Sequence, residues 1–421
     1  MAGILLKAIG VVLVAIIAAI FPILQLGWKT IAYGRVLQPV SDFPYTCRRI
    51  ENQPRLKACE DMWLSEATRQ LFLACGDPAA RSHWSPVVQK LNWEARSKID
   101  AIIALDLDKP QPDGSFVHRV LPLKGYTGND QGRIFMNGIA GADKVQEDGR
   151  VKVTIALTNY GPSVDPATGA VLDQKRVGSN GTIEVFETTG PETHELRHVR
   201  TFADRAGITT PNRPTLVGTD VEDGFYVTNE SKDRVGLKAG LAFFIAQGNV
   251  VYCRGDGSGC HEVATGYRFP NGLLRARDGL LYVPSSGDMT ITVYREVIAG
   301  GETTATTIRT LEKVALLDMD GYSVDNLAED ANGDLWLAAF PKPLDAMAIT
   351  SDPYNFWPRS TVFRIRKSLA GGKMTLTADK IIEDRDKVVL PGTTTAVHDA
   401  KTGRLFLSGI ATPFITVCDP R

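Results

Sequence analysis

Acidic and amide side chains stand at three separated places in the chain, each beside a short apolar stretch. Glu60 and Asp61 open EDMWL, Asn271 lies in FPNGLL, and Asp325 precedes Asn326 in YSVDNL. Their oxygens are hard ligands, and Ca²⁺ accepts several of them in irregular geometry, whereas Mg²⁺ demands a stricter octahedron. These residue types favour a calcium site if the fold brings the segments together. Each segment also suits an ordinary turn, because Asn-Gly and Asp-Asn are common turn dipeptides.

Six hairpins of similar construction are the elements that would position these segments. In each, a polar turn runs into a short apolar strand, and an alternating strand follows. The first strands are 68–76, 149–159, 223–229, 278–285, 332–340 and 402–410, and the second strands are 99–106, 182–188, 242–253, 290–296, 361–367 and 414–418. Antiparallel sheets that bury both faces against neighbours close radially and leave few exposed edges. We predict an all-β fold, a six-bladed β-propeller over residues 47–421, with a two-sheet sandwich as the alternative.

An uncharged apolar run extends from Ala8 to Trp28 near the N-terminus. Its length suits a helix that crosses about 30 Å of hydrocarbon. We predict a transmembrane anchor over residues 1–29 and a juxtamembrane segment over 30–46. A cleaved signal peptide is the alternative, since Lys7 supplies a short basic region. Either interpretation places the propeller in the secretory lumen or outside the cell, and the anchor makes the membrane a partner.

Cysteine usage agrees with an oxidising compartment. Cys47 lies near the start of the predicted propeller and Cys418 near its end, so a bond between them would lock the ring. Two further pairs flank a Gly-rich loop and a predicted turn, respectively: Cys253 with Cys260, and Cys59 with Cys75. Six buried thiols are the alternative interpretation.

Charge and composition add two further expectations. The chain has 47 Lys and Arg against 48 Asp and Glu, and its basic residues are scattered, so nothing predicts a nucleic-acid partner. The tripeptides at Asn180 (NGT) and Asn229 (NES) are N-glycosylation acceptors by sequence.

Several of these motifs together resemble the serum paraoxonase/arylesterase family, calcium-dependent six-bladed propellers that hydrolyse lactones, aryl esters and some phosphotriesters. The resemblance spans most of residues 45–420. It is carried by Cys47, CED around Glu60, FPNG at Asn271, SVDN and GDLW within 323–336, GTTTA at 392–396 and Cys418. By resemblance, the ligands of a catalytic calcium are Glu60, Asn271, Asp325 and Asn326. Asp61 then falls on a ligand of a second, structural calcium, and Cys47 with Cys418 on the closing disulfide.

The chain departs from the family at its expected catalytic base. The family's His-Gly-Ile aligns with Asn137-Gly138-Ile139, and a second family histidine aligns with Tyr160. A neutral amide is no useful proton acceptor near neutral pH. The family's Asn-Asp pair, one residue for each calcium, aligns with Pro214-Thr215, although a loop shift would bring Asn212 there.

The leading hypothesis is a membrane-anchored, calcium-dependent hydrolase of small apolar esters or lactones. Glu60 or Asp325 would assist as the base, and Asn137 would orient substrate or water. The first alternative is a propeller that lost turnover and serves as a binding or scaffold protein. The second is a propeller of the gluconolactonase or strictosidine-synthase-like kind. The segment 341–359 interrupts a hairpin and is a candidate lid.

Overall fold

Six antiparallel sheets arranged around a channel make up the part of the chain that the structure describes. This computed structural model describes residues 21, 24–128, 130–190, 193–203, 207–299, 308–371, 373–390 and 392–421. The innermost strand of each sheet lies beside the innermost strands of its two neighbours, so the sheets close into a ring. The predicted six-bladed propeller is confirmed, and the sandwich is excluded.

Each blade has four main strands, which follow one another from the channel outward. Blade 1 comprises Asp61–Ser65, Gln70–Cys75, Ala101–Pro110 and Phe116–Val120. Blade 2 comprises Met136–Val145, Val151–Gly161, Asn180–Thr189 and Leu196–Phe202, with Leu123–Lys124 parallel at its outer edge. Blade 3 comprises Pro211–Leu216, Phe225–Asn229, Gly248–Cys253 and Cys260–Tyr267. Blade 4 comprises Leu274–Arg275, Leu280–Ser285, Thr290–Ala299 and Ile308–Asp318. Blade 5 comprises Ser323–Glu329, Leu335–Phe340, Thr361–Ala370 and Lys373–Glu383. Blade 6 comprises Thr395–Asp399, Arg404–Ser408, Ile415–Pro420 and Tyr45–Ile50.

Short elements lie before the first strand and in the connections between strands. A small ladder pairs Trp84–Ser85 with Lys90–Leu91. One-turn α-helices span Pro78–Arg81, Gln174–Val177, Leu237–Gly240 and Pro343–Ala346, and 3₁₀ turns span Val40–Asp42, Pro86–Val88, Trp93–Ala95 and Val221–Asp223.

The second strand of each blade forms the core of its sheet. Gln70–Cys75 and Leu335–Phe340 are buried along their whole length, which explains why they are continuous apolar runs in the sequence. Turn residues separate them from the inner strands. Gly333, for example, has φ +87° in the turn before Leu335, a conformation that glycine adopts without a steric penalty.

Blade 6 joins the two ends of the ring. Tyr45–Ile50 pairs with Ile415–Pro420, which places Cys47 opposite Cys418, and the two sulfurs are bonded. Disulfides also join Cys59 to Cys75 and Cys253 to Cys260. All three pairings suggested by the sequence are confirmed.

The segment that precedes the propeller packs onto blades 4 and 5. Lys29 Nζ lies 2.7 Å from an oxygen of Asp318, and Arg35 donates to the carbonyl of Pro341 at 2.7 Å. In the described part of the chain, no helix combines the length and hydropathy that a membrane span requires. The transmembrane helix is therefore not supported, and most of the predicted run lies outside the described residues.

Candidate functional site

The innermost strands of three blades share one irregularity near their first residues. In each, two residues stand opposite a single residue of the neighbouring strand, which is a β-bulge. Bulges re-aim side chains and are common beside active sites. The bulged pairs are Asn137–Gly138 in blade 2, Asn212–Arg213 in blade 3 and Asp325–Asn326 in blade 5. Three blades therefore present polar side chains at the same end of the channel.

A cavity of about 220 Å³ lies at this end of the channel. Its polar lining comes from the starts of inner strands and the loops beside them, and includes Glu60, Asn137, Asn212, Glu230, Asn271 and Asp325. Its apolar lining includes Val87, Phe243, Phe269, Phe340, Ile349 and Ile410. The candidate lid supplies Ala346, Met347 and Ile349 to this wall. The cavity thus combines a polar end with apolar walls.

Three asparagines in this cluster share one hydrogen-bonding pattern. Each uses its amide nitrogen as a donor, and each leaves its Oδ1 buried without a partner. The three bonds run from Asn212 to Glu230 at 2.7 Å, from Asn271 to Ser286 at 3.0 Å, and from Asn326 to Glu60 at 3.1 Å. Gly272 leaves room for Asn326, because a Cβ at that glycine would overlap Oδ1 of Asn326. Neighbouring groups therefore fix the amide oxygens as free acceptors.

Carboxylate oxygens complete this set of unpaired acceptors. Oε2 of Glu60 and Oε2 of Glu230 are also buried without a donor, although buried polar atoms in proteins are nearly always paired. A hard cation would satisfy several such oxygens at once. Across the described residues, no three Asp, Glu, His or Cys side chains form a metal centre by themselves, so a cation here would depend on the amide oxygens as well.

Burial and mutual repulsion raise the pKa of every carboxylate that lines this cavity. Burial, and then the charge of Asp61, raise the pKa of Glu60 to about 8. Burial, and then the charge of Glu60, raise the pKa of Asp325 well above its ordinary value. Burial likewise raises the pKa of Glu230. A cation among these groups would favour their charged forms.

Glu60, Asn271, Asp325 and Asn326 were expected together, and the structure brings them together. Asn212 joins them, whereas Thr215 lies further along the strand, where its hydroxyl accepts from the backbone of Arg275 at 3.0 Å. Asn212, the residue that a loop shift would bring to the place of the family's pair, lines the cavity, whereas the lining includes neither Pro214 nor Thr215.

Asp61, the expected ligand of a second calcium, faces an arginine. Its carboxylate pairs with the guanidinium of Arg213, with 2.8 Å between Nε and Oδ2. Both residues are buried, with 0% and 2% of their surface exposed. No local motif predicts this pair, because the two residues lie far apart in the chain.

The positions aligned with the family's histidines hold no imidazole. Asn137 lines the cavity, and its Nδ2 makes a long bond of 3.4 Å to the carbonyl of Asn212. Tyr160 is buried, and its hydroxyl donates to the carbonyl of Pro211 at 2.7 Å. Asn137 therefore remains a candidate for contact with substrate, whereas the hydroxyl of Tyr160 is already engaged.

Sequence reasoning missed Glu230, which lies in the motif interpreted as a glycosylation acceptor. Asn229 is the last residue of the second strand of blade 3, has no exposed surface, and donates to Gly207 and Asn249. The folded protein has no room for a glycan there, whereas Asn180 is partly exposed. The end of a second strand lies beside the start of the inner strand that pairs with it. That rule would have placed Glu230 at the cavity.

Comparisons with solved structures give distant similarities. A luciferin-regenerating enzyme is 10% identical at a TM-score of 0.46, covering 89% of this chain and 95% of that chain. A gluconolactonase from Xanthomonas campestris is 14% identical at a TM-score of 0.37, and the match covers 89% of this chain and 100% of that chain. A virginiamycin B lyase from Staphylococcus aureus is 13% identical at a TM-score of 0.39, and the match covers 89% of this chain and 99% of that chain. Scores this low support no argument about function.

Sequence comparison is more informative. No curated protein matches the chain. The model of the arylesterase family matches residues 119–411. This match covers blades 2, 3, 4 and 5 in full, including Asn212, Glu230, Asn271 and the Asp325–Asn326 pair. Because it spans more than half of the sequence, this propeller belongs to the arylesterase family.

Proposed function

We propose that this protein is a calcium-dependent hydrolase of small apolar esters or lactones. The observation that carries the proposal is the group of buried, donor-free oxygens at the polar end of an apolar cavity. Membership of the arylesterase family supports a hydrolase in general. The calcium requirement and the substrate class are inferences from the chemistry of the site.

Five residues would hold the ion: Glu60, Asn212, Asn271, Asp325 and Asn326. They supply two carboxylates and three amide oxygens, a hard set from blades 1, 3 and 5 and the loop before blade 4, and calcium tolerates the irregular geometry that follows. When bound, calcium would act as a Lewis acid that polarises a carbonyl and lowers the pKa of a water.

Glu230 is the carboxylate best suited to take the proton from the attacking water. Its Oε1 is held by Asn212, and its Oε2 is unpaired in the cavity. Burial raises its pKa, and a base whose pKa lies near the working pH is the most effective. Glu60 and Asp325, the bases expected from the sequence, would already be engaged as ligands.

Asn137 is suited to orient the substrate. Its bond to the carbonyl of Asn212 is long, at 3.4 Å, so its Nδ2 is readily redirected toward a substrate oxygen. The apolar walls exclude water from the polar end, which strengthens such hydrogen bonds. Phe243, Phe269 and Ile349 favour an apolar acyl or ring portion over the many hydroxyls of a sugar lactone.

A substrate screen with a metal control tests the proposal. Purified protein is assayed with phenyl acetate, an aliphatic δ-lactone and an aryl phosphotriester, with calcium or with excess EGTA. We expect ester or lactone hydrolysis with calcium and its loss in EGTA and in Asp325→Ala. Glu312→Ala is the matched control, since that carboxylate is 58% exposed on the outer strand of blade 4. Activity that survives both EGTA and Asp325→Ala would reject the proposal.

A binding or scaffold role is the second candidate. Among the described residues, no histidine lines the cavity, so the usual proton acceptor of neutral-pH hydrolysis is missing. Folded, calcium-loaded protein that is inactive toward all three substrate classes would favour this role.

A further inference from the structure

The inner strands hold a second charged centre next to the candidate calcium ligands. Asp61 follows Glu60 directly, and its carboxylate faces Arg213 of blade 3. Arg213 lines a separate cavity of about 420 Å³ further along the inner strands, together with Trp63 and Val397. The Asp61–Arg213 pair therefore lies between the two cavities of the channel.

The oxygens of Asp61 differ from those of the candidate calcium ligands, because both are fully used. Oδ1 accepts from the backbone of Met62 at 2.9 Å and from the hydroxyl of Thr395 at 3.1 Å. Oδ2 accepts from the backbone of Ile139 at 2.9 Å and lies 2.8 Å from Nε of Arg213 in an ion pair. A metal could approach this carboxylate only by displacing the guanidinium.

Arg213 makes contacts of the kind that a bound cation would make. Besides Asp61 of blade 1, it donates to the carbonyl of Ile139 in blade 2 at 3.1 Å and to the carbonyl of Leu327 in blade 5. A carboxylate and two carbonyls are hard oxygen ligands. The guanidinium, which belongs to blade 3, thus contacts oxygens of blades 1, 2 and 5.

The surrounding backbone is shaped to admit this side chain. Arg213 lies in the bulge of blade 3, and the bulge of blade 2 places Gly138 against it. A Cβ at Gly138 would stand 2.6 Å from Cβ of Arg213. An arginine is charged at all physiological pH values, so this centre carries its positive charge whether or not metal is present.

We infer that Arg213 is a built-in structural cation that replaces a second metal ion in the channel. Arg213 then links the inner strands around Asp61 without a divalent ion, and a metal is needed only at the candidate calcium site, called the upper site below. This inference does not depend on whether the upper site catalyses a reaction.

Counting bound calcium in charge-reversed variants tests the inference. Arg213→Asp puts a carboxylate where the cation was, facing Asp61 and the same two carbonyls. Equilibrium dialysis in millimolar calcium, followed by metal analysis, should show one more equivalent per chain in Arg213→Asp than in the wild type. Asp61→Asn added to that variant should remove the extra equivalent. Arg213→Met, similar in volume but neutral, should gain none. A folded Arg213→Asp chain with no extra calcium would overturn the inference.

The intact channel provides a second measurement that does not require Arg213 variants to fold. Asp325→Asn removes a ligand of the upper site and leaves Asp61–Arg213 unchanged. We expect this variant to bind no calcium, while its near-ultraviolet circular dichroism still shows a packed fold. Calcium that stays bound to Asp325→Asn and is lost on adding Asp61→Asn would place a metal at Asp61 and refute the inference. A catalytically inactive wild type would refute the proposed hydrolase and leave both calcium counts valid.

Discussion

Metal-free protein should lose stability as the pH rises from about 4.5 to about 8. The pKa of Glu60 is raised from 4.5 to about 8 by burial and by Asp61. Within this interval the folded chain keeps a proton that the unfolded chain releases, so the free energy of unfolding falls with increasing pH. The stabilisation is complete below the ordinary pKa and is lost as the pH rises through the raised one. The raised pKa values of Asp325 and Glu230 act in the same direction.

The expected effect is large compared with the stability of a typical domain. Each pH unit in the interval lowers the free energy of unfolding by about 1.4 kcal/mol for one carboxyl group. Glu60 alone therefore accounts for roughly 5 kcal/mol, against a total of about 5 to 15 kcal/mol for typical proteins. If the proposed function is right, calcium should reverse the trend, because it would bind the charged carboxylates and stabilise the folded chain. The glutamine in Glu60→Gln cannot ionise, so this substitution should remove the contribution of Glu60 to the pH dependence of the free energy of unfolding.

Urea unfolding followed by tryptophan fluorescence measures these effects. The protein is freed of metal by dialysis and compared across the pH interval with and without calcium. We expect metal-free Glu60→Gln to be more stable than metal-free wild type near pH 8, and to gain less from calcium. A metal-free wild type whose stability rises toward pH 8, or a Glu60→Gln variant with the full wild-type slope, would refute the assignment of a raised pKa to Glu60.

Four further substitutions test other parts of the structure. Asn212→Ala should weaken calcium binding by at least about tenfold, measured by titration calorimetry. Cys418→Ser should lower the free energy of unfolding by about 2 to 5 kcal/mol, and reduction of the wild type should act similarly. Gly138→Ala should lower it by about 1 to 3 kcal/mol through its clash with Arg213; an unchanged urea midpoint would contradict the close contact. Ile349→Trp should reduce kcat/KM more for a bulky aryl ester than for phenyl acetate, and equal losses would argue against a wall at that position.

The sequence predicts the second and third strands of the blades better than the inner strands. Strands such as Leu335–Phe340 are buried on both faces and appear as apolar runs between turns. Inner strands vary in length from two to ten residues, and in three blades they contain a bulge with polar side chains, so they break the alternating pattern. Leu274–Arg275, for example, has only two residues. Polar inner strands carry no local signal that distinguishes them from loops.

The candidate site could be predicted only where a motif marks it. Glu60, Asn271 and Asp325 lie in segments with family-like patterns, and the structure brings them to one cavity. Glu230 was hidden in a glycosylation motif, because burial of Asn229 is a property of the fold and not of the tripeptide. The ion pair of Asp61 with Arg213 could not be predicted either, since it forms only when blades 1 and 3 meet across the channel.

The pairing of the first and last propeller strands in blade 6 has a consequence for biosynthesis. Cys47 and Cys418 are separated by 371 positions. At translation rates of about 5 to 20 residues per second, Cys47 leaves the ribosome roughly 20 to 70 s before its partner. Cys59 and Cys75, only 16 positions apart, emerge much sooner and can pair while the nascent chain is still growing. The last blade can therefore be completed only after Cys418 has left the ribosome, and a premature stop codon that removes Cys418 would leave a reactive thiol on an open, aggregation-prone sheet edge.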